Sequence, residues 1–368
     1  MEGLRAVLAW TVVAAHLLIC CGWFGPNING VPLLSQISEA AVDLFIVLSG
    51  FAITRLLIVE REPIRSYFVR RACRILPAYW LALTAAIALN GWLAQNLREL
   101  LPSTDAQGLA MICDIGASRI WIDAPLHYTL LHGLAPVPLL PWAPFTFLGA
   151  AWSLSLEWQF YCLAPFALLF VTRKRFGLAM LVFVSGVGLA FADYWMKGFS
   201  IAFIGVKGGF LLAGALTYVA SRRLQPGAPS VVSLVLPAVA AAVLWWLGSG
   251  RAVEALLTVA GWTIVLVAAF SQRLPPISGF LNSRLLQYLG RNSYSTYLFH
   301  VPLITVLQRA IWERMVPESR LELLTWTAVS AVVATLVVSQ LSWRYIERPF
   351  QKLGRGRADI RTHEAVAA

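Results

Sequence analysis

Ten apolar runs of about 18 residues or more punctuate this chain, at 4–23, 39–59, 75–93, 150–171, 176–195, 199–220, 230–248, 253–271, 285–307 and 323–344. A run of that length, wound as an α-helix at 1.5 Å per residue, spans the ~30 Å hydrocarbon core of a bilayer. With 59% of its residues hydrophobic and only 13% charged, the chain carries more apolar surface than a soluble core can hide. The predicted fold is all-α: a polytopic integral membrane protein of about ten transmembrane helices.

Charge orients these spans. The segments on one side, 55–74, 172–175, 221–229, 272–284 and the tail from Arg344, carry nineteen Lys and Arg residues. The opposite side carries seven, spread through longer stretches. Cytoplasmic segments collect Lys and Arg, so both termini are predicted to be cytoplasmic, as an even number of spans requires. The net charge of +11 therefore reads as a topology signal, not a nucleic-acid footprint. Arg5 followed by an apolar run resembles a secretory signal, but no small-residue cleavage site follows cleanly and many further spans do, which favours a retained first helix. The five cysteines show no paired spacing, so neither a disulfide framework nor a metal site is expected. There is no internal repeat. The longest segment between spans, 94–149, and the tail after the last span are both short for a separate catalytic domain.

Within the first span, "GLRAVLAWTVVAAHLL", Arg5 and His16 are eleven residues apart. That is three helical turns plus about 20°, with about 16 Å of rise, so the two share a face. Arg5 then lies at the cytoplasmic rim and His16 near the bilayer midplane. Ionisable groups at such depth are costly and usually mark function, although Arg5 also reads as a positive-inside anchor and His16 as an interhelical hydrogen-bonding residue. The geometry suits a ligand anionic at one end and reactive at the other, such as an acyl-CoA entering from the cytoplasm.

Other spans add polar groups. Glu157 in "WSLSLEWQFY" is expected within a turn or two of the depth of His16, and Tyr297 and His300 in "NSYSTYLFH" share a face. Asp43 in "VDLFIVLSG" reads either as a helix N-terminal carboxylate or as a functional group. Ser49 and Gly50 read as close-packing positions. Lys207 in "GVKGG" lies within a span with no evident partner. In "VRRACRILPAYW", Arg70, Arg71 and Arg74 crowd the mouth of a span, where they either bind phosphates or follow the charge rule.

Taken in order, the Arg-x10-His pair, "DLFIVLSGFAIT", "FVRRACRILPAYW", "WSLSLEWQFY", "LGRNSYSTYLFHVPL" and "SWRYIERPF" resemble the membrane-bound acyltransferase family 3 over essentially the whole chain. The resemblance implies about ten spans and transfer of acyl groups, commonly acetyl, onto hydroxyls of sugars, polysaccharides, lipids or small secreted molecules. It makes Arg5 and His16 the paired motif, with His16 catalytic and Arg70 and Arg71 a donor-binding pair. It further implies residues 1–349 as the transmembrane acyltransferase domain, 350–368 as a short basic cytoplasmic tail, the stand-alone type, and the bacterial cytoplasmic membrane as location. The chain departs from the pattern at Glu157–Trp158, where two adjacent acidic residues are common.

Transfer of an acyl group from a thioester to an alcohol needs the hydroxyl deprotonated as it attacks, and imidazole is the side chain whose pKa lies closest to neutral. His16 is thus the expected general base, with Glu157 or His300 orienting it and Asp43 and Tyr297 in support. Arg5, Arg70, Arg71 and Arg74 are the expected donor-binding set. No bound cofactor is expected. Acyl-CoA is the co-substrate, and the partners are a hydroxyl-bearing acceptor and the lipid bilayer. Two rivals stand beside this reading: a two-step route through an acyl-imidazole on His16, with Cys20 a weaker nucleophile, and a proton-coupled transporter built on the intramembrane His, Glu and Arg residues.

Overall fold

The computed structural model describes residues 1–23, 26–28, 31–60, 63–101, 104–172, 198–223, 231–270 and 275–355. The expected span at 176–195 lies outside the described residues. Thirteen α-helices stand among them: α1 Glu2–Cys20, α2 Leu33–Val59, α3 Ile64–Glu99, α4 Thr104–Ser118, α5 Ile120–Tyr128, α6 Trp152–Thr172, α7 Ile204–Arg223, α8 Val231–Ser249, α9 Ala252–Phe270, α10 Pro275–Leu281, α11 Arg284–Arg291, α12 Ser293–Met315 and α13 Arg320–Ser342. A two-residue antiparallel pairing, Asn27–Ile28 with Val31–Pro32, bridges α1 and α2.

Six of these helices, α1, α2, α3, α7, α9 and α13 with its continuation to Arg355, are long and apolar enough to cross a membrane. Their outward faces carry exposed Leu256, Val329, Val333 and Val337, as lipid-facing surfaces do. Inside, Leu44, Leu48, Leu156, Phe210 and Trp262 belong to one buried cluster, and Tyr79, Leu83, Leu148 and Leu298 to a second.

Without a hydrophobic drive between helices in lipid, close approach depends on small residues. α2 and α7 meet in this way. A Cβ on Gly50 would stand 2.0 Å from the Leu211 carbonyl oxygen, and one on Gly214 would stand 1.9 Å from that of Val47. The expectation for Gly50 as a packing position holds.

Two elements differ from the sequence reading in ways that shape the site. The run at 285–307 is not one helix: it breaks at Asn292 into α11 and α12. Gly290 sits there against the start of α1, where a Cβ would meet the Glu2 carbonyl oxygen. At 36 residues, about 54 Å, α3 is far longer than a bilayer core is thick. Its N-terminal turns, with Arg65, Arg70, Arg71 and Arg74, project beyond the apolar stretch. At the other end of the chain, α13 begins with Ser319 accepting from the Glu322 N–H at 3.1 Å, and runs into a π-helical turn, Trp343–Glu347. Helix continues past residue 349 as far as Arg355.

Candidate active site

α1 is unbroken from Glu2 to Cys20, so Arg5 and His16 do share one face three turns apart. The His16 Nδ1 lies 3.0 Å from the Val12 carbonyl oxygen. A carbonyl only accepts, so Nδ1 is the donor in this contact. The buried His300 brings its Nε2 to 3.2 Å from the same Nδ1, with the two rings 5.1 Å apart. Tyr297, one turn back on α12, has its ring 6.2 Å from that of His300 and tilted by 42° to it. Its hydroxyl is 3.0 Å from the Ser153 Oγ and donates to the Ala150 carbonyl.

His16 and Tyr297 line a cavity of about 1020 Å³, walled also by Cys20, Trp142, Phe145, Trp152, Glu39 and Arg251. It lies where α1 and α3 end and α2 begins. Cavities of this size with an apolar wall and few polar groups are typical ligand sites.

A second cavity of about 440 Å³ lies at the opposite ends of α2 and α3, lined by Arg70, Arg71, Arg74, Arg355, Glu60 and Gln351. Arg70 donates to Glu60 at 2.5 Å, and Arg71 lies over the rings of Tyr67 and Tyr161 at 6.0 and 5.8 Å.

Glu157 hydrogen-bonds to residues other than His16. Its Oε1 accepts from Ser49 at 2.6 Å and from Tyr161. Arg5 lies within electrostatic reach of Glu157 and of Arg74. Tyr161, in turn, lies within reach of Arg71 and Arg74. The structure thus places His16 and Tyr297 on the large cavity with the buried His300 behind them, and Glu157 within electrostatic reach of both Arg5 and Tyr297. Ser49, read from the sequence as packing, is a ligand of the carboxylate.

Asp43 stands apart from these residues. It is the eleventh residue of α2, so the helix N-terminal alternative fails. Its partner is Lys207, which does not stand alone: Lys207 Nζ donates to Asp43 and Glu254 at 2.7 Å each and lies 3.6 Å from Glu39. Arg251 closes the cluster onto Glu39 and Glu254. The ring of Trp245 lies 4.5 Å from the ammonium. Buried charges of this kind persist in membranes only when paired.

Sequence reasoning also passed over Glu347. The π turn, a feature frequent at functional sites, aims it inward, where it accepts from Ser295 Oγ at 2.5 Å within electrostatic reach of Arg74. The signal was present in "SWRYIERPF": a carboxylate amid Arg344 and Arg348 in a stretch otherwise continuous with a span.

Comparison with known proteins now bears on this geometry. The profile of the family described as "Acyltransferase domain" matches residues 1–344. The chain is 28% identical to the peptidoglycan O-acetyltransferase OatA of Listeria monocytogenes, covering 96% of this chain and 56% of that protein. It is 27% identical to a candidate peptidoglycan O-acetyltransferase of Bacillus subtilis, covering 96% and 55%. A candidate O-acetyltransferase of Staphylococcus aureus is 23% identical, with 96% and 57% covered. The chain therefore spans a little over half the length of these relatives. No solved structure matches it.

Proposed function

The chain belongs to the acyltransferase family matched over residues 1–344, and from that premise we propose that it is a membrane-embedded O-acyltransferase. It moves an acyl group, acetyl in this reading, from cytoplasmic acyl-CoA to a hydroxyl of a sugar, glycan, lipid-linked glycan or small molecule. The observation that carries the proposal is the placement of His16: its Nδ1 is engaged by the Val12 carbonyl, and the ring borders a cavity large enough for an acceptor.

In this mechanism the Nε2 of His16 takes the proton of the acceptor hydroxyl as its oxygen attacks the thioester carbonyl. A C–O bond forms and the tetrahedral centre collapses. The C–S bond breaks, and the departing thiolate takes the proton from His16. His300, against Nδ1, holds the ring and stabilises the imidazolium. Arg70, Arg71 and Arg74 hold the donor's phosphates, because guanidinium groups match phosphate oxygens in charge and geometry. Arg5 lies between that pocket and His16, about 16 Å along the helix. Glu157 and Glu347 position these arginines.

The topology belongs to the same reading. About ten helices cross a bacterial cytoplasmic membrane, residues 1–349 form the catalytic domain, and both termini, with the basic tail 350–368, lie in the cytoplasm. The arginine cavity then opens to the cytoplasm and the large cavity to the far side. The names of the relatives support a cell-wall glycan as acceptor.

The test is incubation of purified full-length chain with acetyl-labelled acetyl-CoA and muropeptide acceptors in detergent. Label should appear on the acceptor with wild type and be lost with His16→Ala. Donor left intact while solute crosses reconstituted vesicles would overturn the enzyme in favour of a transporter.

A further inference from the structure

Past the π turn, residues 348–355 continue as α-helix, in which positions four apart share a face. Glu347, Gln351 and Arg355 therefore stand in one row, about 6 Å of rise from each to the next. Glu347 is buried, accepts from Ser295 and lies within electrostatic reach of Arg74 on α3. The other two line the arginine cavity.

Gly354 seats this row on α3. It is buried, and a Cβ there would stand 3.0 Å from the Cys73 Cβ and 3.5 Å from the Arg70 Cα. Glu347 beside Arg74 and Gly354 beside Arg70 mean that the end of the chain runs antiparallel to the start of α3, with no side chain at 354 to hold the two apart. Among the described residues, the cavity between them is lined by the guanidinium groups of Arg70, Arg71, Arg74 and Arg355 and by one carboxylate, Glu60, which engages Arg70 at 2.5 Å. Even with Glu347 counted against Arg74, four guanidinium groups outnumber two carboxylates, and guanidinium does not shed its charge by deprotonation.

We propose that Arg355 is a donor-binding residue: with Gln351 it completes the arginine cavity from the far end of the chain and takes a phosphate of the CoA donor. The inference rests on the acyltransferase reading and carries the functional unit past residue 349 to Arg355 at least. A donor with several phosphates needs cations around it, and Arg70, Arg71 and Arg74 all come from α3. Arg355 supplies charge from the facing helix, and the Gln351 amide donates to a phosphate oxygen beside it. The phosphate of an anionic lipid headgroup shares this chemistry, so the test separates the two sources.

Coenzyme A itself, which carries no acyl group and so binds without turnover, is titrated into the full-length chain in detergent by isothermal calorimetry. Arg355→Gln should weaken binding at least about fivefold, the loss of one charge-assisted hydrogen bond. Gly354→Val keeps every charge but pushes the row off Cys73, and should weaken binding in the same direction. Arg348→Gln removes a cation from the same helix that lies instead 5.5 Å from the Trp343 ring, and should leave the affinity near wild type. Added phosphatidylglycerol should not compete. Wild-type affinity in Arg355→Gln or in Gly354→Val, an equal loss in Arg348→Gln, or no CoA binding to the wild-type chain overturns the proposal. Competition by phosphatidylglycerol in the wild type but not in Arg355→Gln would assign the residue to lipid and overturn it too. Acetyl transfer is measured alongside. Transfer with a donor KM indifferent to Arg355 defeats this inference alone, whereas CoA binding that depends on Arg355 without transfer defeats the catalytic reading alone.

Discussion

The Nε2 of His300 stands 3.2 Å from the Nδ1 of His16, although 284 residues separate the two in sequence. The Nδ1 of His16 thus faces both this nitrogen and the Val12 carbonyl, and the opposite ring nitrogen is the proposed base. The two histidines therefore differ in what their loss should do.

His16→Ala removes the proposed base. Loss of a general base costs about 10² to 10⁴ in rate, whereas a side-chain hydrogen bond in lipid averages only about 0.6 kcal/mol in stability. Transfer should fall at least a hundredfold with insertion and melting temperature near wild type. His300→Ala removes one hydrogen bond from an imidazole that remains. At about 1 kcal/mol, that predicts roughly a fivefold drop in kcat with donor KM unchanged. Steady-state kinetics on both variants decides; turnover near wild type in His16→Ala would sink the assignment.

Arg70 and Arg71 line the cavity that is proposed to take phosphates far from the reacting thioester. Such contacts contribute mainly uniform binding. Changing both to Gln should raise the donor KM several-fold, taking about 1 to 2 kcal/mol for lost charge-assisted hydrogen bonds, with a smaller change in kcat. A normal KM accompanied by poor membrane yield would assign the pair to topology instead.

What the sequence disclosed follows from how far each signal reaches. Apolar length and basic clusters are local, so the helical class and most helix positions could be read directly, as could the shared face of Arg5 and His16 on one helix. The depth estimate for Glu157 says nothing about which neighbours rotate toward it, so its partners Ser49 and Tyr161 could not be read from one helix. Asp43 and Lys207 are 164 residues apart on helices whose close approach depends on Gly50 and Gly214, and no pattern along either helix links them. The break at Asn292 is similarly set by contact of Gly290 with α1, a tertiary cause.

The Lys207 cluster makes a stability prediction separate from catalysis. Removing one partner from a buried ion network strands the rest, at about 3 to 5 kcal/mol, while replacing both partners by apolar groups is far milder. Lys207→Met should lower the melting temperature in detergent sharply, and Lys207→Met with Asp43→Leu should recover part of the loss. Wild-type melting in the single variant would mean that the cluster contributes nothing to folding.

The remaining prediction concerns pH and the stretch from α5 to the start of α6, outside the helices long and apolar enough to cross a membrane. His127 and His132 are both buried there, and their rings stack at 4.1 Å with 15° between planes. His127 Nε2 contacts the Ala143 carbonyl at 2.8 Å and Thr146 Oγ1 at 3.0 Å. Burial pushes the His127 imidazole down from its ordinary 6.5 to about 4, and burial with the neighbouring ring holds His132 well below its ordinary value. Above pH 6.5 neither the folded nor the locally unfolded segment binds protons at these sites, so stability is complete. As pH falls from 6.5 toward 4, the unfolded segment takes up protons that the folded one refuses. Stability is lost over that window, by about 3 kcal/mol from His127 alone, and His132 acts in the same direction. Limited proteolysis between residues 120 and 151 should therefore accelerate on going from pH 7.5 to pH 5. His127→Gln combined with His132→Leu should flatten the dependence. Cleavage independent of pH in the wild-type chain would show that the stacked pair is not held neutral by burial.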